Sequence, residues 1–464
     1  MKLKGINWKN IFCLLFILVI SGCGGNGSVS TEPPPPPTSE ESPFIYGIKL
    51  EPEALRKNIV ESYFQTANDF GAPYIKIVVG QDAPPVDYDS LSRLAQKYDV
   101  SIIPMFLSSD APEVQTNAEK FAEFVYEFVK KYKTGMNIKY TEFQNEPAAE
   151  NDGSGSKINM PLSWRGTAEE LVAGNNLAYE RIKATYPEIM VGSAGFLSDP
   201  NAHIKQYTEK FYQRYFKAKP KFDFFSLHNY PKNYSYVQGT EAGDLASQYH
   251  IFETYRKMLN GYGYADKPIF ITEGFVDTPF EENGKRSWDW ADENEAAVLW
   301  VEGYMQALSS SSSNNVMGKI ITGIRTKGAM GLIDSSSNTK RNQYYLVKYL
   351  LSLLKEYPVY SKHIAGSVNS EHYWVEEFEN KQGGKMWVAF NPLLYETKDD
   401  LHVPVITRKW MKSSQEWTLN VQSGSSVKIS MVINDNVQEE TKAVSGGKIT
   451  ITLSDTPVFV EEIK

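Results

Sequence analysis

The sequence predicts an α/β protein in which a (β/α)₈ barrel is followed by an antiparallel β-sandwich. Over residues 44–357, short apolar or alternating runs recur with longer amphipathic stretches between them, as strands and helices do in parallel α/β folds. Beyond that point the helical pattern stops, and alternating segments are separated by Asn, Gly and Ser turns. A length of 464 residues accommodates both domains and a tail.

Eight apolar runs are the predicted barrel strands. In chain order they are FIYGIKL (44–50), YIKIVVG (74–80), VSIIPMFL (100–107), IKYTEFQ (138–144), IMVGSAGF (189–196), FDFFSLHNY (222–230), PIFITEGF (268–275) and KIITGIR (319–325). The stretches between them, such as AEKFAEFVYEFVKKY, repeat apolar residues three and four apart, which is typical of helices. Eight such units fit a (β/α)₈ barrel with insertions. A doubly wound open sheet is the alternative, but no Gly-rich phosphate loop follows the first run.

Two connecting segments carry specific expectations. The carboxylates of QDAPPVDYDSL, after the second run, are expected to cap the helix that follows. The segment LSSSSSNN (308–315), before the eighth run, is predicted to be a disordered connector.

The predicted β-sandwich occupies residues 358–464, after a catalytic barrel at 44–357. Its alternating segments include YWVEEFEN, KMWVAFNP, SVKISMVIN and KITITLS. Strands of this kind bury one face and expose the other, which is the pattern of antiparallel sheets.

The first 43 residues predict an exported, membrane-tethered protein. Residues 1–22 form a lipoprotein signal peptide, with three lysines, the apolar run IFCLLFILVI and then small residues. The motif ISGC resembles a bacterial lipobox, which implies cleavage before Cys23 and lipidation of its thiol. An ordinary secretory signal that happens to contain a cysteine remains the alternative. Residues 23–43 are Gly/Ser-rich and then proline-rich, as flexible and stiff linkers are. The implied location is the outer membrane, at its periplasmic face or the cell surface.

Charge and cysteine content narrow the function classes. Loss of residues 1–22 removes three of the 48 basic residues and none of the 56 acidic ones, so the mature chain is acidic and has no general attraction to nucleic acid. It would retain Cys23 alone, which forms no intrachain disulfide. The six histidines show no metal-ligand spacing, and we predict neither a metal site nor a cofactor. The oligomeric state stays open.

Two glutamates stand at predicted strand exits. Glu146 follows the fourth run in the segment EFQNEP, and Glu273 ends the apolar part of the seventh run in ITEG. Taken singly, each is as readily a solvated loop carboxylate or a helix cap. In a (β/α)₈ barrel, however, residues at the carboxyl ends of all strands face one shared pocket. Two carboxylates in one cleft are what glycosidic cleavage requires.

EFQNEP and ITEG resemble the fourth- and seventh-strand motifs of the retaining glycoside hydrolases of clan A. The resemblance implies that Glu146 is the acid/base, Glu273 is the nucleophile, and Asn145 binds the sugar 2-hydroxyl. SLHNYP in the sixth run resembles a His-x-Tyr pattern of the same clan, which implies that His228 and Tyr230 line the pocket. The chain after the eighth run is similar to that of family 39 enzymes and their relatives.

Two departures from the clan pattern concern residues that would contact the sugar. Where many clan members have an arginine after strand two, this chain has Lys76, and no tryptophan follows the eighth run; Glu142 matches an inward-facing glutamate of these strands. We expect Lys76 to bind substrate. Trp288 is the candidate for the missing aromatic surface, as are Trp290 and Trp164, and ordinary loop packing is the alternative role for each of these tryptophans. Further basic residues stand at the strand exits, namely Lys49, Arg325 and Lys327, and predict that one side of the pocket is cationic and binds an acidic glycan. The alternative is that the strand pleat turns these side chains outward, or that one of them pairs with a catalytic glutamate.

The sequence therefore predicts a retaining β-glycoside hydrolase that acts on a carbohydrate and is tethered through lipid on Cys23. A carbohydrate-binding lipoprotein that keeps the barrel without turnover is the alternative. A structural or adhesion lipoprotein would explain the tether and the sandwich, but it would leave both glutamates unexplained. The sugar, the linkage and the choice between internal and terminal cleavage stay open.

Overall fold

A computed structural model describes most of the chain from residue 44 onward. The described residues are 44–52, 54, 59–80, 86–107, 118–147, 167–198, 211–229, 248–274, 280–282, 285–287, 293–326, 331–365, 373–391, 393–398, 405–410, 414–421, 425–454 and 456–463. The predicted signal peptide, Cys23 and the linker lie outside them.

Eight parallel strands close into the predicted barrel. Strands β1 to β10 are β1 (Ile45–Lys49), β2 (Tyr74–Gly80), β3 (Ser101–Leu107), β4 (Tyr140–Asn145), β5 (Met190–Ser198), β6 (Phe225–Asn229), β7 (Ile269–Gly274), β8 (Phe280–Glu282), β9 (Lys285–Ser287) and β10 (Val316–Ile321). The strand order around the barrel is β1-β10-β7-β6-β5-β4-β3-β2, and β8 and β9 form a separate hairpin. The open-sheet alternative is therefore excluded, and the carboxyl ends of all eight strands meet at one mouth.

Seven helices with defined bounds lie in the described part of the chain. They are α1 (Val60–Phe70), α2 (Tyr88–Lys97), α3 (Ala118–Tyr132), α4 (Ala168–Thr185), α5 (Gln248–Tyr262), α6 (Glu293–Ser313) and α7 (Asn342–Glu356). The side chain of Asp87 accepts a hydrogen bond from the Ser90 amide at the start of α2, so the expected carboxylate cap is confirmed.

The expected disordered connector at 308–315 is wrong, because α6 continues through the serines to Ser313. Ser309 and Ser310 are buried, and the Ser309 hydroxyl donates to the Gln306 carbonyl within the helix. Serine has only a mild helix penalty, so the buried apolar face of the same helix outweighs it.

Aromatic and aliphatic side chains close the barrel below the mouth. Its interior cluster consists of Ile45, Ile103, Phe224, Phe270 and Ile320, with Tyr74, Tyr140, Met190 and Met317 packed against it. Tyr140 contacts Tyr74 edge to face at 5.4 Å between ring centroids. Among the described residues the barrel interior is therefore a packed core, and the barrel opens toward the carboxyl ends of its strands.

The C-terminal region forms the predicted antiparallel β-sandwich. Strands β11 to β22 are β11 (Arg325–Thr326), β12 (Ile333–Asp334), β13 (Val359–Ala365), β14 (Trp374–Glu379), β15 (Lys385–Phe390), β16 (Leu393–Lys398), β17 (Val405–Trp410), β18 (Gln415–Asn420), β19 (Ser426–Ile433), β20 (Asn436–Ala443), β21 (Lys448–Leu453) and β22 (Val458–Ile463). Six of these pair in the order β13-β14-β15-β22-β19-β20, and β18 pairs with β21 in a second sheet. Strands β11 and β12 precede α7 and pair in parallel with each other, outside the sandwich.

The central strands of the six-stranded sheet are covered on both faces, whereas the edge strand β20 is exposed along its length. One face packs on the barrel helices, with Phe459 of β22 against Tyr349 of α7 at 5.2 Å between ring centroids. The other face packs on Trp417 and Ile451 of the second sheet.

Residues 42–464 form one compact unit, so the boundary at 357/358 stays a prediction. Among the described residues, no helix combines the length and apolar character needed to cross a bilayer.

Candidate active site

The exit of β4 carries an irregular backbone that delivers Glu146 to the barrel mouth. Gln144 and Glu146 have φ values of 50° and 43°, in the left-handed region that non-glycine residues rarely adopt. The pairing of β4 with β5 shifts register there, and the Glu146 amide donates to the Gly195 carbonyl at 2.8 Å. Such backbone strain concentrates at functional sites.

Glu273, at the end of β7, is held by two ammonium groups. Lys49 Nζ donates to Oε2 at 2.7 Å, and Lys76 Nζ lies 3.0 Å from Oε1. The two lysines occupy paired positions on neighbouring strands β1 and β2, which explains why both reach the same carboxylate. The Glu273 side chain is 2% exposed, so both ion pairs form with little solvent screening.

A buried network connects this carboxylate to Glu146. Lys76 Nζ binds Glu142 Oε2 at 2.7 Å and lies 3.2 Å from His228 Nε2. The same His228 nitrogen lies 2.8 Å from Glu142 Oε1, and Nδ1 lies 3.0 Å from Glu146 Oε1. Lys76, Glu142 and His228 are each completely buried, so each charge depends on the others for compensation.

Gly195 on β5 makes room for this network. A Cβ at this position would lie 2.3 Å from both Glu142 Oε1 and His228 Nε2. Any side chain here would separate the carboxylate from the imidazole, so the contact between Glu142 and His228 requires glycine.

The network determines the ionisation of its members. Burial alone would raise the pKa of Glu273, but the charges of His228, Lys49 and Lys76 outweigh it and hold that pKa well below its usual range. Burial likewise opposes ionisation of Glu142, and Lys76 and His228 reverse the effect and lower its pKa. The pKa of His228 is raised, because Glu273 and Glu142 overcome burial and the charge of Lys76. In the imidazolium form both ring nitrogens of His228 donate, one to Glu142 and one to Glu146.

The two candidate catalytic carboxylates are close together. Ligand-type atoms of Glu146, His228 and Glu273 all lie within 4.8 Å of one another. Three such groups resemble a metal site, but Lys49 and Lys76 already bind both oxygens of Glu273. The donor set therefore fits a divalent cation poorly, because two ammonium charges would have to be displaced.

The remaining predicted residues are distributed as follows. Asn145 ends β4 and is partly exposed beside Glu146. Tyr230 and Trp288 lie outside the described residues, as do Trp290 and Trp164, so their roles stay predictions. Lys76 is buried and bound to two carboxylates of its own chain. Any direct contact of Lys76 with substrate stays a prediction.

The expected cationic side of the mouth forms only in part. Lys49 and Lys76 converge there, but both bind carboxylates of the chain itself. Arg325 belongs to β11, where it contacts Asn338 and lies over the ring of Tyr63 in α1, away from Glu273. Lys327 lies outside the described residues.

Two features of the site were not predicted from the sequence. The first is that two lysines bind Glu273 jointly, and the second is the contribution of Glu51. The charge of Glu51 acts on Lys49, and its Oε1 accepts from the Gly323 amide at 2.9 Å. Lys49 stands near the end of its predicted run and Lys76 near the start of the next one, so their pairing across β1 and β2 was not evident from the sequence. Joining them to Glu273 requires barrel closure, which sequence spacing alone does not give.

No protein-family model and no curated protein sequence matches this chain. Solved structures do. A glucosidase from Croceicoccus marinus aligns with a TM-score of 0.63 and 11% identity, covering 91% of this chain and 96% of its own. The GH39 enzyme from Xanthomonas axonopodis pv. citri aligns with a TM-score of 0.57 and 11% identity, covering 90% and 94%.

A third similar structure is the 4-O-α-L-rhamnosyl-β-D-glucuronidase from Fusarium oxysporum 12S, with a TM-score of 0.55 and 17% identity over 92% of this chain and 98% of its own. Other similar structures are glycoside hydrolases of families 30 and 51. The resemblance of the sequence motifs to glycoside hydrolases, including family 39, is thus matched by a likeness in fold. At these identities the likeness establishes the fold, a parallel eight-stranded barrel with a C-terminal β-sandwich.

Proposed function

We propose that this chain is a retaining β-glycoside hydrolase in which Glu273 is the nucleophile and Glu146 the acid/base. The observation that carries the proposal is the proximity of the two carboxylates at the barrel mouth, where one oxygen of Glu146 lies within 4.8 Å of one oxygen of Glu273. Retaining glycosidases separate these groups by about 5 to 5.5 Å, whereas inverting ones need roughly 6.5 to 9.5 Å to admit a water molecule. The glycoside hydrolases among the similar structures support the same reaction class.

In the first step, Glu273 attacks the anomeric carbon while Glu146 protonates the departing oxygen. The bond from the anomeric carbon to the leaving group breaks, and an ester bond to Glu273 forms. The low pKa of Glu273 ensures that the nucleophile is ionised, and His228 stabilises the carboxylate that forms on Glu146. Asn145, beside Glu146, is proposed to bind the sugar 2-hydroxyl.

In the second step, Glu146 removes a proton from water, and the oxygen of that water attacks the anomeric carbon. The ester bond to Glu273 breaks, the carboxylate returns to Lys49 and Lys76, and the configuration is restored by the second inversion. Each step moves one negative charge between Glu273 and Glu146, and the charge of the whole site is unchanged.

The substrate is proposed to be a β-linked polysaccharide or oligosaccharide. Tyr230 and Trp288 are proposed to line the sugar site. Lys49 and Lys76 are both committed to carboxylates of the chain. We therefore expect neutral β-glucosides and β-xylosides to be hydrolysed at least as well as β-glucuronides. A panel of aryl glycosides compares the three, and a clear preference for the glucuronide would contradict this expectation.

The test of the reaction class is the stereochemistry of hydrolysis. Proton NMR of the reaction mixture on the active glycoside should show the β-anomer of the released sugar first, with the α-anomer appearing only by mutarotation. Prior appearance of the α-anomer would exclude the double displacement. Binding of glycans without hydrolysis of any substrate would favour the non-catalytic, carbohydrate-binding alternative.

We further propose that the enzyme is exported and anchored through lipid on Cys23, at the periplasmic face of the outer membrane or the cell surface. The support is the lipobox-like ISGC followed by a Gly/Ser- and Pro-rich linker. Cys23→Ser should release the protein from the membrane fraction with unchanged kcat/KM. Continued membrane association of that variant would contradict lipid anchoring.

A further inference from the structure

Acidic and basic side chains alternate across the barrel mouth and connect the two candidate catalytic residues. We call this set the charge ladder. In order, it consists of Glu51, Lys49, Glu273, Lys76, Glu142, His228 and Glu146. Each carboxyl group of the ladder therefore has a lysine or His228 beside it, and Glu146, the proposed acid, becomes a carboxylate only when it has given up its proton in the first step.

The two lysines of the ladder are not equivalent. Lys76 is completely buried and has a second carboxylate, Glu142, at 2.7 Å, so it remains paired whatever happens to Glu273. Lys49 is 12% exposed at the mouth, and its only ion-pair partner within 4 Å among the described residues is Glu273. Of the remaining groups, Glu51 and Glu146 act on Lys49 through their charges.

This difference matters once Glu273 is esterified. The ester carries no negative charge, so Lys49 loses its direct partner while Lys76 keeps Glu142. Lys49 then favours any process that restores the carboxylate, because two unlike charges at ion-pair distance in a poorly hydrated site attract strongly. The process that restores the carboxylate is hydrolysis of the glycosyl-enzyme.

We propose that Lys49 is a positioning residue that acts through Glu273 to stabilise it as the departing carboxylate of the second step. This inference rests on the proposed glycosidase function. In the step concerned, the bond between the anomeric carbon and Glu273 breaks, its electron pair returns to the carboxylate, and the water proton passes to Glu146.

The proposed role of Lys49 predicts different effects on the rates of the two chemical steps. Stabilising the Glu273 carboxylate lowers the free energy of the free enzyme, which disfavours attack, and it also lowers that of the product of deglycosylation. Removing Lys49 should therefore slow deglycosylation by about 10- to 100-fold, the order of one electrostatic contact, without slowing glycosylation. The covalent intermediate should then accumulate.

The experiment compares Lys49→Met with the wild type on a 2,4-dinitrophenyl β-glycoside, whose leaving group needs no acid. We expect a burst of dinitrophenol equal to the enzyme concentration, a steady-state kcat reduced about 10- to 100-fold, and a glycosyl adduct on the intact protein by mass spectrometry. Lys49→Arg, which keeps the charge, should abolish the burst and recover most of kcat. Lys130→Met, in an exposed ion pair with Glu127, is the matched control.

A kcat reduced without a burst or adduct, or a Lys49→Arg variant as impaired as Lys49→Met, would overturn the proposal. An independent readout does not need turnover. Carbon-13 NMR of glutamate-labelled protein, with Glu273→Gln to assign the signal, should show a higher pKa of Glu273 in Lys49→Met. An unchanged pKa would overturn the role of Lys49 even in an inactive protein, whereas a raised pKa without any hydrolysis would refute only the glycosidase function.

Discussion

Two buried glutamates, Glu273 at the barrel mouth and Glu302 in helix α6, show how differently the same side chain behaves in two regions. Each is at most 2% exposed. Lys49 and Lys76 bind Glu273, and its pKa is lowered. Glu302 has only the Gln306 amide, at 3.5 Å, as a described hydrogen-bond partner, and burial raises its pKa to about 8. Burial alone removes the charge, whereas burial with paired cations preserves it.

Lys49 and Lys319 show the same contrast between the two regions for a basic side chain. The pKa of Lys49 is raised, because the charges of Glu273 and Glu51 outweigh burial. Burial lowers the pKa of Lys319, in β10, to about 7, and its Nζ donates to the Gly303 carbonyl at 3.1 Å. At the barrel mouth, neighbouring opposite charges therefore favour the ionised forms of Glu273 and Lys49. In the layer between β10 and α6, burial favours the neutral forms of Glu302 and Lys319.

The largest expected effect is on catalysis at the mouth. Glu273→Ala should reduce kcat by about 10⁴-fold or more, since no nucleophile remains. Azide should rescue it as the glycosyl azide of inverted configuration. Glu146→Ala should keep activity on substrates with good leaving groups, and azide should there give the retained azide. Product NMR distinguishes the two, and exchanged stereochemistries would reverse the assignment.

The next effect is on stability. Lys76→Met leaves Glu142 and Glu273 buried with fewer cations, and should lower the free energy of unfolding by about 3 to 5 kcal/mol. Urea denaturation at pH 7 measures the loss. The double variant Lys76→Met, Glu142→Gln removes one uncompensated charge and should recover part of it. Equal losses in the single and double variants would show that the ion pair is not the cause.

A smaller effect is expected for Glu302→Gln. Because the folded pKa is about 8 and the unfolded one is near 4.3, the folded state holds the proton more tightly. Wild-type stability should therefore fall with pH between about 4.5 and 8, and the variant should be more stable by about 1 to 3 kcal/mol at pH 7. Thermal unfolding from pH 5 to 8 compares the slopes, and parallel curves would contradict the buried acid.

The smallest effect is expected for Lys319→Met. Its folded pKa of about 7 lies below the unfolded value near 10.4, so the unfolded state binds more protons between these limits. Wild-type stability should gain relative to the variant as pH rises from 7 to 10. The variant should be more stable by about 1 kcal/mol at pH 7, since the lost hydrogen bond to Gly303 offsets part of the gain. A pH-independent difference would contradict the lowered pKa.

Local pattern predicted most of the fold. Seven barrel strands lie within the predicted runs or extend them by at most two residues, as with Met190–Ser198 against 189–196. The eighth is displaced, because its predicted run 319–325 begins inside the strand Val316–Ile321 and ends at the first residue of β11. Val316 and Met317 extend the apolar alternation toward the serines, and the helix preceding them was not recognised because serine is a weak helix former.

The sequence by itself determined the barrel, the sandwich and the placement of Glu146 and Glu273 at strand ends, because periodicity and turn residues act over a few neighbouring positions. Only the tertiary structure decided the charge ladder. Lys49 and Glu273 are 224 residues apart, and β1 meets the last barrel strand only when the sheet closes. Whether a lysine at a strand end binds substrate or a carboxylate depends on that closure, since ion pairs and pKa values are fixed by distance and burial.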